Sequence, residues 1–354
     1  MNGSRAAVES AFAITRKTPT LGDVAKLAGV SLATASRSLN GVRHVSPELR
    51  ERALAAAQEL GYRPNPHARA LVHAADAAVG VLVHDVSDPY FSQIVRGILE
   101  AAGAADLFVL LCNTYRNPER ELAYVSHFRA RRARGLVLAG SGLEDRGYGA
   151  RLAQELVGFE AAGGQVALIG RHYAPGDAVV PDNVGGAFAL ARSLVGLGHR
   201  TIGVIAGPKL LTSRDRLAGF RAGLAEAGVE LPDQNLVAGD FTRDGGFRGA
   251  LELLDRIRGL TAIFALNDAM AIGALAALRD RGMQVPEQVS LCGFGDIPIA
   301  QDLWPPLSTV RVPMVEMGAR AFTMATEARG ADIRVEQLPT HVVLRASTGP
   351  VELK

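Results

Sequence analysis

The pattern of apolar and polar positions divides the chain near Val79. Before that point the apolar residues recur at helical spacing and the punctuation is close. Thr20-x-x-Asp23 is a capping-box-like start, in which each side chain can satisfy an orphan backbone donor. That helix runs to about Ala28, and Gly29-Val30 makes a short turn. Ser31 caps a second helix ending near Asn40-Gly41. After a loop from Val42 to Val45, Ser46-Pro47-Glu48 supplies a cap, a first-turn proline and an acid at the positive helix end. The third helix continues to Leu60. Arg63-Pro64-Asn65-Pro66 breaks the pattern, and His67 to Val72 leaves room for one or two further turns. Residues 1–18 show no periodicity and are expected to be a disordered leader.

From Val79 onward, short apolar runs of strand type alternate with helical stretches. The runs are Val79–Val83, Leu107–Leu111, Gly135–Ala139, Val166–Ile169, Thr201–Ala206, Ala262–Leu266 and Val289–Phe294. Between them lie Phe91–Ala104, Pro118–Arg132, Gly149–Ala162, Val184–Gly196, Arg214–Ala227, Thr242–Ile257 and Asp268–Arg281. Strands with apolar residues on both faces belong to parallel sheets covered by helices. Seven alternations exceed one small sheet, so two doubly wound lobes or a closed barrel could hold them. The Pro- and Gly-bearing break at 171–182 favours two lobes.

Composition narrows the class. With 354 residues, 48% hydrophobic and 21% charged, the chain can bury a large core and is not wholly disordered. No apolar run approaches the ~18 to 20 residues that span a bilayer, and the N-terminus lacks the apolar segment of an export signal. Cys112 and Cys292 match no metal or redox spacing. Reduced thiols in a cytoplasm are therefore expected. The formal charge of +2 is the sum of unlike parts: residues 1–73 carry ten basic and five acidic residues, leaving 28 and 31 for the rest. A small basic module on a slightly acidic body suggests a polyanion partner for the module.

The second helix carries the sharpest chemistry. Ala35 and Leu39 lie four apart and, with Val30, can pack on Val24, Ala25 and the third helix. Leu32, Ala33, Ser36, Arg37 and Asn40 then face outward. A helix about 10–12 Å across fits the DNA major groove, where arginine pairs with guanine O6 and N7. Ser31, Thr34 and Asn40 suit phosphate contacts. A plain three-helix bundle with a solvated face is the competing reading.

The stretch TLGDVAKLAGVSLATASRSLNGVRHVSPELRERALAAAQELGYRPNPHARAL resembles the DNA-binding head of the lactose/galactose repressor family. Later segments match in order: DPYFSQIVRGI, GLVLAG, LVGLGHRTIGVIAGP, RLAGFRAGL, AIFALNDAMAIGAL, VPEQVSLCGFGD and PPLSTVRVP. The resemblance spans about residues 19–347. It implies an all-α helix-turn-helix head joined to an α/β core of two doubly wound lobes, like a periplasmic sugar-binding protein. The expected divisions are a leader 1–18, a head 19–64, a hinge 65–75, a core 76–347 and a tail 348–354. Lobe one would comprise about 76–180 and 311–333, and lobe two 181–310 and 334–347.

What the family implies can be placed residue by residue. Leu32, Ala33 and Arg37 hold the base-reading positions, with Arg37 dominant because the other two offer only apolar contact. Thr20, Ser31, Thr34, Ser36, Asn40 and His44 hold backbone-contacting positions. Ala68, Arg69 and Leu71 fit a hinge helix that orders on DNA, with Leu71 as a minor-groove wedge. Ligands of such cores meet the carboxyl ends of strands. Asp88, Tyr90, Phe91, Asn113 and Arg116 on one lobe, Thr212, Arg216, Phe241, Asn267 and Asp296 on the other, and Arg171 and Arg311 near the crossings, are the candidate effector contacts. Many relatives carry Gly-Tyr-Asp after the Val289–Leu291 strand, whereas this chain reads Gly293-Phe294-Gly295-Asp296. A lost carboxylate beside Arg116, Arg171, Arg216 and Arg311 would suit an acidic effector, such as a sugar acid or phosphorylated sugar.

Catalytic signatures fail. Gly140-Ser141-Gly142 lacks the third glycine of a dinucleotide fingerprint, no P-loop or HExxH occurs, and the histidines are scattered. The implied protein is a homodimeric regulator, a repressor in the family pattern, acting on a pseudo-palindromic operator under control of a small molecule. No cofactor, metal or membrane partner is expected, nor a tail-mediated tetramer. The alternatives are a soluble sugar-binding protein or a generic α/β enzyme without a DNA role.

Overall fold

A computed structural model describes residues 19–39, 45–62, 78–328, 330 and 332–351. The expected leader, Asn40, His44, and the hinge residues Ala68, Arg69 and Leu71 lie outside the described residues. The chain divides into two compact units, 1–74 and 75–354.

The first unit holds α1 (Leu21–Ala28), α2 (Leu32–Leu39) and α3 (Pro47–Glu59). Thr20 and Asp23 form the full reciprocal capping box on α1. Gly29 ends the helix at φ 64°, a left-handed turn that a side chain would strain. Arg52 on α3 donates through Nη2 to the carbonyl of Ala28 at 2.6 Å, so a cation covers the negative end of α1. Val24, Ala28, Ala53, Ala56 and Ala57 make the small core, and alanines let the three short helices approach closely.

The second unit contains three sheets. The larger lobe is built on β1 (Ala78–Val83), β2 (Phe108–Asn113), β3 (Gly135–Ala139), β4 (Gln165–Ile169), β5 (Asp177–Pro181) and β11 (Val335–Leu338), in the order β11-β5-β4-β3-β1-β2. The smaller is β6 (Ile202–Ile205), β7 (Leu236–Val237), β8 (Ala262–Ala265) and β9 (Ser290–Cys292), in the order β7-β6-β8-β9. Every pairing in these two sheets is parallel. An antiparallel pair, β10 (Thr309–Arg311) and β12 (His341–Val343), completes the set.

Intervening helices are α4 (Pro89–Ala104), α5 (Pro118–Ala130), α6 (Arg146–Ala161), α7 (Asn183–Gly196), α8 (Leu211–Glu226), α9 (Arg243–Arg256), α10 (Asp268–Asp280) and α11 (Met314–Thr326). The two-lobed arrangement replaces the barrel alternative. One boundary moves: β11, expected in lobe two, pairs with β5 in lobe one. Arg334, itself half-buried, anchors that pairing through an ion pair to the buried Asp177 at 2.6 Å. Helix α11 packs on α4 where Gly97 and Gly318 face the partner backbone. A Cβ on Gly97 would fall 1.9 Å from the carbonyl oxygen of Val315.

Candidate functional site

Of the residues expected on the outward face of α2, Leu32, Ala33 and Arg37 are exposed, and Asn40 lies outside the described residues. Ala35 is buried, while Leu32 is 57% exposed. Arg37 folds back to donate through Nε to the carbonyl of Ala33 at 3.2 Å, leaving its Nη groups at the helix surface. The Ser31 hydroxyl accepts from the Thr34 amide at 3.1 Å and pairs with the Thr34 hydroxyl at 2.8 Å. Thr20 is exposed but engaged, donating its hydroxyl to Asp23 at 2.7 Å. Ser36 is half-buried. Ser38 turns inward, a residue the sequence reading did not assign.

In the second unit, loops from the carboxyl ends of both sheets converge on a narrow cavity with about 40 Å³ of solvent-accessible space, at the strand ends where ligands of such sheets bind. Of the twelve candidate effector residues, Asp88, Tyr90, Phe91, Arg116, Thr212, Arg216, Phe241 and Asn267 line it. His84, Gly140, Ser141, Asn183, Asp268 and Phe294 line it too, unforeseen from sequence.

Each lining group has a local cause for its position. Asp88 caps α4, accepting from the Tyr90 amide at 2.9 Å. Asn267 caps α10 and, through Nδ2, donates to the Phe241 carbonyl at 3.1 Å. That bond steadies Phe241, whose φ of 66° is unusual for an aromatic residue. Arg216 is 4% exposed. Its Nε donates to Asn183 Oδ1 at 2.9 Å, its Nη1 to the Leu266 carbonyl at 2.6 Å, and its guanidinium lies 3.9 Å from the Phe294 ring centroid. Burial drives its pKa down to about 10. Arg116 reaches the cavity from the other lobe, 5.8 Å from the Phe241 centroid.

Four candidates do other work. Asn113 accepts from the Val86 amide at 2.9 Å, holding the loop after β1. Arg171 pairs with Asp215 at 2.8 Å, joining the lobes beside the cavity rather than lining it. Asp296 pairs with Arg311 at 2.7 Å and Arg345 at 2.8 Å, which removes both Asp296 and Arg311 from the lining. A charged loop residue near a cleft finds a protein counterion whenever one is in reach, and spacing does not reveal that partner.

The seam at Arg171 is extensive. Ser141 donates its hydroxyl to the Arg171 carbonyl at 3.0 Å and accepts from the Thr212 amide at 3.1 Å. The Leu211 amide reaches the Gly142 carbonyl at 3.0 Å. The Gly140-Ser141-Gly142 loop thus serves as a junction between lobes.

A carboxylate does stand behind Gly295. Asp268 is 1% exposed, accepts from the Thr309 hydroxyl at 2.6 Å and the Ile297 amide at 2.9 Å, and is raised by burial to about 6. A Cβ on Gly295 would meet its Oδ2 at 3.1 Å, so a second acid at that position would face the first.

His84 has the opposite bias. It is 6% exposed, packed edge-on to Phe91 at 5.5 Å. Burial, then Arg116 and His172, push its pKa from 6.5 to about 3. The folded state thus holds a neutral imidazole that the unfolded chain would protonate below pH 6.5. Its contribution is complete above that pH and is lost as pH falls toward 3. The slope is about 1.4 kcal/mol per pH unit. Asp268 acts with the other sign, its raised pKa favouring folding as pH falls through 6 toward 3.8. His84→Gln is therefore expected to lose less stability on acidification from pH 6 to 4 than the wild type, measured by urea unfolding. Parallel slopes would contradict the neutral, buried imidazole.

No group of three or more potential metal ligands occurs among the described residues, and no described helix is long and apolar enough to cross a membrane.

Comparison with known proteins follows the same division. Residues 20–65 match the family described as bacterial regulatory proteins, lacI family, and residues 191–348 match the periplasmic binding protein-like domain. The HTH-type transcriptional regulator DegA of Bacillus subtilis is 34% identical over 94% of this chain and 98% of its own length. A lac repressor dimer, bound to operator and the anti-inducer ONPF, superposes with a TM-score of 0.79 at 27% identity, covering 94% of this chain and all of that one. The transcriptional regulator CelR in complex with cellobiose gives 0.68 at 32% identity, covering 93% and 99%.

Proposed function

Because this chain belongs to the lacI family of bacterial regulatory proteins, we propose that it is a cytoplasmic homodimer that represses transcription from a pseudo-palindromic operator under control of a small polyol bound between the lobes. The observation that carries the DNA role is the outward face of α2, where Leu32, Ala33 and Arg37 stand exposed on a helix with a buried opposite side. Arg37 reads a guanine edge, Leu32 and Ala33 make apolar contacts, and Thr20, Ser31, Thr34, Ser36, Asn40 and His44 hold phosphates. Ala68, Arg69 and Leu71 form the hinge that enters the minor groove, Leu71 as its wedge.

Dimerisation has a candidate surface. β2 is an edge strand of its sheet, with Phe108 76% and Leu110 48% exposed on one face. An apolar edge of this kind calls for a cover, and twofold symmetry then places two heads on two half-sites.

The effector role rests on a cavity lined by Asp88, Tyr90, Arg116 and Arg216 at the strand ends of both lobes. Aromatic faces suit C–H surfaces, while the charged groups give directional bonds to hydroxyls. Closing the lobes on a ligand changes their angle, and effector and operator affinities become reciprocally linked.

Capture of bound fragments from total genomic DNA by the purified full chain tests the reading. It should return a palindromic motif with half-sites about one helical turn apart. Capture without sequence preference would instead favour a sugar-binding protein with no operator.

A further inference from the structure

Two features of Arg116 are costly to the fold. Tyr115 and Arg116 both adopt left-handed backbone, with φ of 54° and 56°, a conformation unfavourable for residues bearing a Cβ. The turn they make carries the Arg116 guanidinium from the first lobe to the Phe241 ring of the second. There its Nε is buried without a hydrogen-bond partner. Neighbouring arginines differ: Arg171 has Asp215 and Arg311 has Asp296 as counterions.

Asp88, Asp85 and Asp240 lie within electrostatic reach of Arg116, but its Nε bonds none of them among the described residues. Asp88 spends one oxygen on the Tyr90 amide, and both oxygens of Asp268 accept from Thr309 and Ile297. Arg216 binds two neutral acceptors through Nε and Nη1, so its Nη2 remains open among the described residues. Two guanidiniums, one from each lobe, therefore line one cavity with donors to spare. Ligand hydroxyls could accept from them one bond at a time, without matching the planar fork. A planar oxyanion meets the guanidinium fork with two oxygens and compensates the charge as well.

We propose that the effector carries an oxyanion, a carboxylate or a phosphoryl group, that Arg116 binds and Arg216 Nη2 supports, while the free oxygen of Asp88 accepts from a hydroxyl. This rests on the reading of the cavity as the effector site and narrows its ligand to acidic polyols. The strained turn at Tyr115-Arg116 is then the price of a specificity-determining cation.

Matched sets test it: glucose, gluconate and glucose 6-phosphate, then galactose, galactonate and galactose 6-phosphate. Each is titrated into the full chain by calorimetry, with operator release read in parallel. At least one acidic member should bind at least tenfold more tightly than its neutral parent, and gluconate or galactonate against the phosphates distinguishes the two oxyanions. Arg116→Met should weaken that ligand about ten- to a hundredfold, at least about fivefold more than it weakens the neutral parent. Arg116→Lys, which keeps the charge without the fork, should fall between. A neutral sugar that binds as well as its acid and releases operator would overturn the oxyanion while leaving the regulator intact. Undiminished acid binding by Arg116→Met, or no acid binding at all, would also overturn it.

Discussion

Arg216→Met is expected to abolish the response to effector, with a loss of at least a hundredfold in affinity, while leaving folding stability within about 2 kcal/mol of wild type. The stability half of this follows from two opposed terms. Burial lowers the pKa of Arg216 to about 10, so holding the charge costs on the order of a few kcal/mol relative to an exposed arginine. Methionine removes that cost and keeps an apolar contact with Phe294. Against this, Asn183 Oδ1 and the Leu266 carbonyl lose their donor, at about 1–3 kcal/mol each when left unsatisfied. The terms nearly cancel. Function has no such offset, because nothing else in the second lobe can replace the guanidinium at the cavity wall. Chemical unfolding and calorimetry on the same sample separate the two effects. A large stability loss would mean that Arg216 is chiefly structural, and retained ligand affinity would place the effector elsewhere.

Arg37→Ala is expected to cost on the order of 1–3 kcal/mol on the specific operator and to relax preference at one base position. The first unit should keep its fold, since Arg37 is exposed and its bond among the described residues is to a carbonyl of its own helix. Competition binding with an operator library reads both effects. Equal weakening on every sequence would assign Arg37 to phosphate instead.

The head was legible in the sequence because its signals are local. Thr20 and Asp23, Gly29, and Ser46-Pro47 each mark a helix end through a bond or dihedral spanning a few residues. The buried strands were legible for a similar reason, since Ala78–Val83 and Gly135–Ala139 are apolar throughout and covered on both faces. Helix α11 carried no such mark. Its start at Pro313 has no side-chain cap, and it is held by packing on α4 across more than 200 residues of chain. The half-exposed strand β11 was hidden for the same reason, its place set by Asp177 and Arg334.

The site divides likewise. Asp88 and Asn267 announce themselves as caps at strand–helix junctions. Asp268 reads in the sequence as the first residue of a helix, and only the fold brings Thr309 and Ile297 to its carboxylate. Arg171 and Arg311 looked like ligand contacts until Asp215 and Asp296 were placed beside them. Arginine content alone therefore overstates the positive character of the cavity, and pairing reduces four candidates to Arg116 and Arg216.

The central claim is that a ligand held between the lobes governs operator affinity. Fluorescence anisotropy of labelled operator, titrated with the full chain at fixed salt, tests it with and without a saturating ligand from the acidic sets. The account predicts at least a fivefold change in operator affinity for wild type and none for Arg216→Met, whose operator binding without ligand stays normal. A ligand that binds wild type in this cavity and leaves operator affinity unchanged would contradict it.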